Sequence, residues 1–386
     1  MTIYLITELY PVDENDNSIT IAVKNFVDAW DEEVFVFRPL QLSLLKISRF
    51  RGYFRLFNKR PDPIAKKQLV FILLIKIPFF RKYIYLLNKR LSLKPPDVIL
   101  GHSLIGNHLA NSMSKRYGVP FSAGLHNYDL QKLEKEENQY LKIFRRASLI
   151  ACRSYSIKRR FNDFTKYRFD SLTFIANSGI DPSKVEDASF FSRKAREFDP
   201  EIIRFVTAAR LEPLKNIDIN IEVMSEMPQN FSYTIIGDGQ DRDRIQAYID
   251  RFSLGGRIRI LGWKKQAEVL DYLKQSDIFI MASAPETFGL AYLEAMAKGC
   301  IVIGAYGWGI DGIIRKGENG YLVNAGDKES LKSVLNEIRS LTMEEREEIG
   351  RASRETVLLL SEQHVSDSYL NKLKELVIEQ DGTPNH

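Results

Sequence analysis

Four stretches of this sequence place residues of the right type for chemistry on a charged, polar ligand. "APETFGLAYLEAMAKG" (Ala284–Gly299) sets two carboxylates, Glu286 and Glu294, eight positions apart among apolar and small residues. Eight residues of helix turn the second side chain about 80° away from the first, so the two do not stack on one face as an acid–base pair. They suit different parts of one extended ligand; the plainer reading is a capping Glu286 and a solvated Glu294. "ARLEPLK" carries Arg210 and Lys215 across a turn containing Pro213. A guanidinium that forks onto two oxygens and an ammonium point charge together suit a diphosphate, whereas a single Arg or Lys is more often a surface cation. "GLHNYD" presents His126, one of five histidines, and "IIGDGQDRDR" contains Gly237 and Gly239, where a missing side chain lets a ligand reach the backbone. Asp241 and Asp243 in the latter read as acids of a helix first turn rather than as metal ligands.

These residues need elements to hold them, and the sequence supplies alternating short apolar runs and helical patterns. Strands are expected at Ile3–Ile6, Val34–Phe37, Val98–Leu100, Phe121–Leu125, Leu149–Cys152 and Thr173–Ile175, with helices between several of them. After a polar stretch, Asp181–Glu201, read as a linker, strands are expected again. They fall at Ile203–Ala208, Tyr233–Ile236, Ile258–Leu261, Ile278–Met281, Ile301–Ile303 and Gly320–Val323. Short apolar strands alternating with helices imply parallel sheets covered on both faces. The expected fold class is α/β, with two doubly wound Rossmann-like domains facing each other across a cleft. The boundaries read as 1–180, 181–360 and a C-terminal helix, 361–386, that packs back on the first domain. In open parallel sheets ligands bind beyond the carboxyl ends of the strands, which is where Arg210, Lys215, Glu286, His126, Gly237 and Gly239 all fall. Thr287 is the expected N-cap of the helix ending at Gly299, placing the free amides of Phe288, Gly289 and Leu290 in its first turn as an anion site. Trp263, in "LGW", ends another strand and offers an aromatic face to a base. "GAYGWGIDG" (Gly304–Gly312) supplies a flexible loop.

At 386 residues the chain exceeds one hydrophobic core, and 44% hydrophobic with 27% charged residues excludes a largely disordered chain. Cys152 and Cys300 read as small core residues of a reducing compartment. The N-terminus reads as a first strand rather than a signal peptide, and no apolar run approaches the ~20 residues that span a bilayer. The expected location is cytoplasmic. The net charge of +5 conceals an asymmetry: Lys46–Lys94 holds 14 Lys or Arg and one acid, leaving the rest of the chain acidic. Arg49, Arg51, Arg55, Lys59, Arg60, Lys66, Lys67, Arg81 and Lys82 are interleaved there with aromatic and aliphatic residues. Such a segment suits an anionic membrane surface or an acceptor, at roughly 1 kcal/mol per well-placed cation. A solvated face is the blander reading. Nucleic acid is not expected, since no recognition motif accompanies the charge.

The E-x7-E arrangement of Glu286 and Glu294 in "PETFGLAYLEAMAKG", with "ENGYLV", "ARLEPLKN", "IIGDG" and "SDIFIMAS", resembles the retaining glycosyltransferases of the GT-B fold, glycosyltransferase family 4. The likeness is specific over Ile203–Val323 and looser in "DVILGHS", "GLHNYD" and "ANSGID". It implies that Arg210 and Lys215 hold the diphosphate of a nucleotide sugar, with help from amides near Gly289 and Leu290. It further implies Glu294 on the ribose, Glu286 on the donor sugar and His126 facing the transferred sugar. No metal and no cofactor are implied; the donor is a nucleotide diphosphate sugar, UDP favoured over GDP. The acceptor is a glycan or lipid-linked oligosaccharide in bacterial surface polysaccharide synthesis, at the inner face of the membrane. Three departures stand out. Tyr10–Thr20 lacks the glycine-rich loop of relatives, Asn177-Ser178-Gly179 replaces an Asn-Gly, and "GWG" (Gly307–Gly309) replaces a plainer glycine pair. Nucleotide-sugar epimerase and phosphorylase are alternatives within the architecture, although no cofactor lysine motif is visible. A non-catalytic, membrane-associated binding partner is another.

Overall fold

The structure is a computed structural model and describes residues 1–7, 27, 29–40, 68–74, 94–135, 137–227 and 230–381. Two compact units emerge. The first comprises Met1–Arg153, Ile157–Gly179 and Glu362–His386; the second comprises Ser154–Ser156 and Ile180–Ser361.

The first unit is built on β1 (Thr2–Thr7), β2 (Glu33–Leu40), β3 (Gln68–Leu74), β4 (Val98–His102), β5 (Phe121–Leu125), β6 (Leu149–Cys152) and β7 (Thr173–Ile175). They form one parallel sheet in the order β3-β2-β1-β4-β5-β6-β7. Helices α1 (Ser103–Tyr117), α2 (Asn127–Lys135), α3 (Glu137–Phe144) and α4 (Tyr155–Thr165) run between its strands. Strands β1, β4, β5 and β6 are buried at every position, which explains why they read as unbroken apolar runs rather than as alternation. One core gathers Tyr4, Phe37, Ile99, Phe121, Phe144 and Phe161.

The second unit holds α5 (Ala188–Arg196), β8 (Ile203–Ala208), α6 (Ile217–Ser225), β9 (Phe231–Ile236), α7 (Arg242–Arg251) and β10 (Ile258–Ile260). It continues through α8 (Gln266–Gln275), β11 (Ile278–Ile280), α9 (Leu290–Ala297), β12 (Ile301–Ala305), β13 (Tyr321–Val323), α10 (Lys328–Ser340) and α11 (Met343–Leu359). Its sheet is also parallel, in the order β10-β9-β8-β11-β12-β13, with a core on each face. The last helix, α12 (Glu362–Asp381), belongs to the first unit. There the Trp30 indole N–H donates to the Ser366 carbonyl (3.1 Å) and the Tyr369 hydroxyl meets Ser122 Oγ (3.1 Å).

The α/β class and the twelve strands expected from sequence are present. Three expectations are corrected. The "linker" Asp181–Glu201 contains α5, because Phe190, Phe191, Ala195 and Phe198 recur at helical spacing and bury one face; Asp187 caps it by accepting from the Phe190 N–H (2.9 Å). Leu130–Arg146, expected as one helix, is α2 followed by α3. Inside the basic segment, Gln68–Leu74 is a strand that extends the sheet beyond β2, since a run of aliphatic residues pairs readily with an open parallel edge. Arg49, Arg51, Arg55, Lys59, Arg60, Lys66, Lys67, Arg81 and Lys82 lie outside the described residues, as does Tyr10–Thr20.

Candidate functional site

In the second sheet the strand order reverses between β8 and β11, and ligands of open α/β sheets sit at such a switch point. The two loops that leave it are stitched together. The Ala284 N–H donates to the Leu214 carbonyl (3.0 Å), and Asn216 Nδ2 donates to the Ala282 carbonyl (2.7 Å). Asn216 is left-handed (φ 52°), a conformation Asn tolerates, and it closes the 3-10 turn Pro213–Lys215 that carries the lysine.

That turn delivers Lys215 Nζ to 2.7 Å from Glu286 Oε2, with both side chains largely buried (13% and 15% exposed). The same Oε2 accepts from Ser283 Oγ (3.2 Å), and Oε1 accepts from the Thr287 N–H (3.0 Å). The Gly309 N–H donates to the Glu286 carbonyl (3.2 Å), and a Cβ on Gly309 would stand 2.7 Å from Glu286 Cγ. Glycine at 309 is therefore what lets the "GWG" loop close on Glu286. The loop's own shape is held by Asp311, whose carboxylate accepts from the Gly307 N–H (2.8 Å).

Helix α9 starts later than expected. Gly289, not Thr287, is its N-cap, at φ 84°, and the first helical residue is Leu290. The reason is local: Phe288 turns into the core at 3% exposure, and the left-handed Gly289 that follows it breaks the helical path before Leu290. A Cβ on Gly289 would lie 2.6 Å from the Tyr292 ring, so that turn requires glycine. Phe288 contributes packing, leaving amides at the start of α9 as the available donors. Glu294 consequently lies about one turn into α9. It is half-buried, accepts a short hydrogen bond from Gln266 Nε2, and burial pushes its pKa up despite Gln266 and the neighbouring Lys184 charge. The solvated reading of Glu294 is overturned. Lys184 Nζ in turn donates to Gln266 Oε1 (3.2 Å).

Arg210 does not join the cluster. Its side chain is 78% exposed, with Nε 3.2 Å from Glu212. Gly237 and Gly239 serve the fold: a Cβ at either would lie 1.8 Å from the Ala209 carbonyl oxygen or 2.2 Å from that of Leu211. The close approach these glycines allow is that of the chain's own β8 loop. Trp263 stands 64% exposed after β10. Ser283, Gln266 and Lys184 were missed by sequence reasoning, Asn216 was only the last letter of "ARLEPLKN", and Gly309 was noted in "GWG" without its contact to Glu286.

In the first unit His126 follows β5 and borders α2. Its backbone N–H and its Nδ1 both meet Asp129 Oδ2, at 2.9 and 3.1 Å. His102, ending β4, packs with its ring centroid 5.7 Å from that of His126; it is buried, and burial first, with the nearby His126 and Arg153 charges, pushes its pKa well down. Among the described residues no group of three or more His, Cys, Asp or Glu is arranged to hold a metal ion, and no helix is long and apolar enough to cross a membrane. Cys152 and Cys300 are buried free thiols.

With this geometry in place, the chain can be set beside known proteins. Residues 189–356, which contain the whole Lys215–Glu286 cluster and Glu294, match the family described as Glycosyl transferases group 1. A curated relative, the lipopolysaccharide core biosynthesis glycosyltransferase LpsE of Rhizobium meliloti, is 27% identical over 238 residues, 60% of this chain and 66% of the relative. The amylovoran biosynthesis glycosyltransferase AmsK of Erwinia amylovora is 30% identical over 170 residues, 42% of this chain and 40% of the relative. The alignments thus span less than two thirds of these relatives' own lengths. Among solved structures, Anabaena HepE in complex with UDP superimposes with a TM-score of 0.73 at 18% identity, covering 97% of this chain and all of HepE, a likeness of fold.

Proposed function

We propose that this chain is a glycosyltransferase of family 4 that moves a hexosyl group from a nucleotide diphosphate sugar to a glycan or lipid-linked acceptor in bacterial surface polysaccharide synthesis. The observation that carries the reading is the Lys215–Glu286–Ser283 cluster at the β8/β11 switch point, inside the segment that matches the glycosyl transferase family. Lys215 is largely desolvated there, so its charge acts at short range on a diphosphate. The amides at the start of α9 add a weaker positive field. Glu294, half-buried and fixed by Gln266, receives the ribose hydroxyls, while Glu286 receives hydroxyls of the sugar; the family likeness assigns His126, in the first unit, to a sugar hydroxyl. The UDP complex of HepE and the polysaccharide roles named for LpsE and AmsK favour a UDP donor and such an acceptor.

On this reading the bond from the anomeric carbon to the β-phosphate oxygen breaks while the acceptor oxygen bonds that carbon on the same face. The acceptor hydroxyl's proton passes to the departing phosphate oxygen. The configuration is retained and no metal is used, because Lys215, assisted by Arg210 once a diphosphate draws it in, balances the charge on the leaving group. The protein works at the inner membrane face, held by the basic segment 46–94.

Isothermal titration with UDP, GDP and their sugars, followed by donor turnover, tests this. Wild type is expected to bind UDP, and Lys215→Ala to lose about 10²-fold or more in turnover while keeping its melting transition. Equal turnover of wild type and Lys215→Ala on every donor would overturn it.

A further inference from the structure

We infer that Asp129 is a positioning residue that fixes His126 as the Nδ1–H tautomer, so that Nε2 is the atom offered to a sugar hydroxyl. The inference rests on the function proposed above for the identity of the ligand, but its structural half stands alone. Asp129 is 1% exposed and is the third residue of α2, and a single oxygen, Oδ2, takes both the His126 backbone N–H (2.9 Å) and the ring Nδ1 (3.1 Å). An ionised carboxylate only accepts, so the ring nitrogen facing it must carry the proton. In the neutral ring that assignment leaves the lone pair on Nε2, the remaining polar atom of a side chain that is 18% exposed beyond the end of β5.

The surroundings reinforce this assignment. His102 supplies a neutral aromatic neighbour, and Gly124 makes room for it, since a Cβ there would lie 2.6 Å from His102 Nδ1. The nearby cations are engaged elsewhere: Arg153 donates to Ser178 Oγ, and Arg160 donates to Asn127 Oδ1 (2.8 Å) and Glu134 (3.0 Å). Asp129 could serve α2 merely as a cap, accepting the amide of the residue before the helix. Capping needs an acceptor oxygen and not a charge, so asparagine performs it too. Orienting the ring is the additional task.

Long-range ¹H–¹⁵N correlation of histidine-labelled protein reads the tautomer directly, with His126→Gln identifying the resonance. Wild type is expected to show Nδ1–H at His126, and Asp129→Ala to show Nε2–H or a mixture. Asp129→Asn, which keeps the cap, serves as the folded control should the alanine variant melt early. In transfer assays Asp129→Ala is expected to lower kcat roughly 10–100-fold, with KM for the nucleotide sugar little changed. The same change in a His126→Gln background should add no further loss. An unchanged tautomer in Asp129→Ala, or equal losses in both backgrounds, overturns the inference. Absence of transfer by wild type would instead sink the functional reading, leaving the tautomer to decide the role of Asp129.

Discussion

Lys215 and Glu286 are 71 residues apart in sequence and 2.7 Å apart in space. Neither is unusual by itself, and together they leave a partly desolvated cation with one strong partner. Glu294 poses the opposite case, a carboxylate held where burial disfavours its charge. Because its folded pKa lies above the unfolded one, it contributes stability at acid pH that is lost as pH rises through the folded pKa. At neutral pH, Glu294→Gln should therefore raise the melting temperature, with the gain disappearing on acidification. Calorimetric scans at two pH values check this, and the same variant should bind UDP more weakly. A stabilised variant with poorer ligand affinity is what a residue kept for function predicts.

At the scale of elements, the loops matter more than the strands. The β8 loop lies so close to the β9 loop that Gly237 and Gly239 have no room for a methyl group, and the Gly237 N–H donates to the Gly262 carbonyl (2.9 Å). Gly237→Ala, at φ 137° and against a backbone oxygen, is expected to cost roughly 2–5 kcal/mol, measured by denaturant unfolding. Gly255→Ala, with open space around its Cβ, is the matched control that should change little. Packing by itself therefore requires glycine at both positions. Gly289 and Gly309, by contrast, shape the backbone that meets Glu286.

The whole molecule joins two units with separate cores, and α12 returns the end of the chain to the first of them. The second unit is nearly continuous, from Ile180 to Ser361, and contains Lys215, Glu286 and Glu294. Residues 180–361 expressed alone should give one cooperative melting transition that UDP shifts upward. A fragment that melts without cooperativity would show that its core depends on the rest of the chain.

The strands were legible because a parallel strand buried on both faces must be a short run of apolar residues, whatever surrounds it. Glu286, Lys215 and His126 could be picked out as candidates because they follow strands, where such sheets expose side chains, whereas Glu294, on α9, stood out by its spacing from Glu286. The start of α9, the helix within 181–201 and the strand within the basic segment were not. Each turns on which surface a residue meets: Phe288 finds a core, Phe190 and Phe191 find the face of another helix, and Gln68–Leu74 finds the free edge of β2. Sequence alone determined which residue types arrive at the carboxyl ends of the strands. Tertiary structure decided that Lys215 and not Arg210 pairs with Glu286, that Gln266 holds Glu294, and that Asp129 faces the ring of His126. Period and composition are properties of a segment, whereas a hydrogen bond between distant residues exists only once the sheet order has brought two loops together.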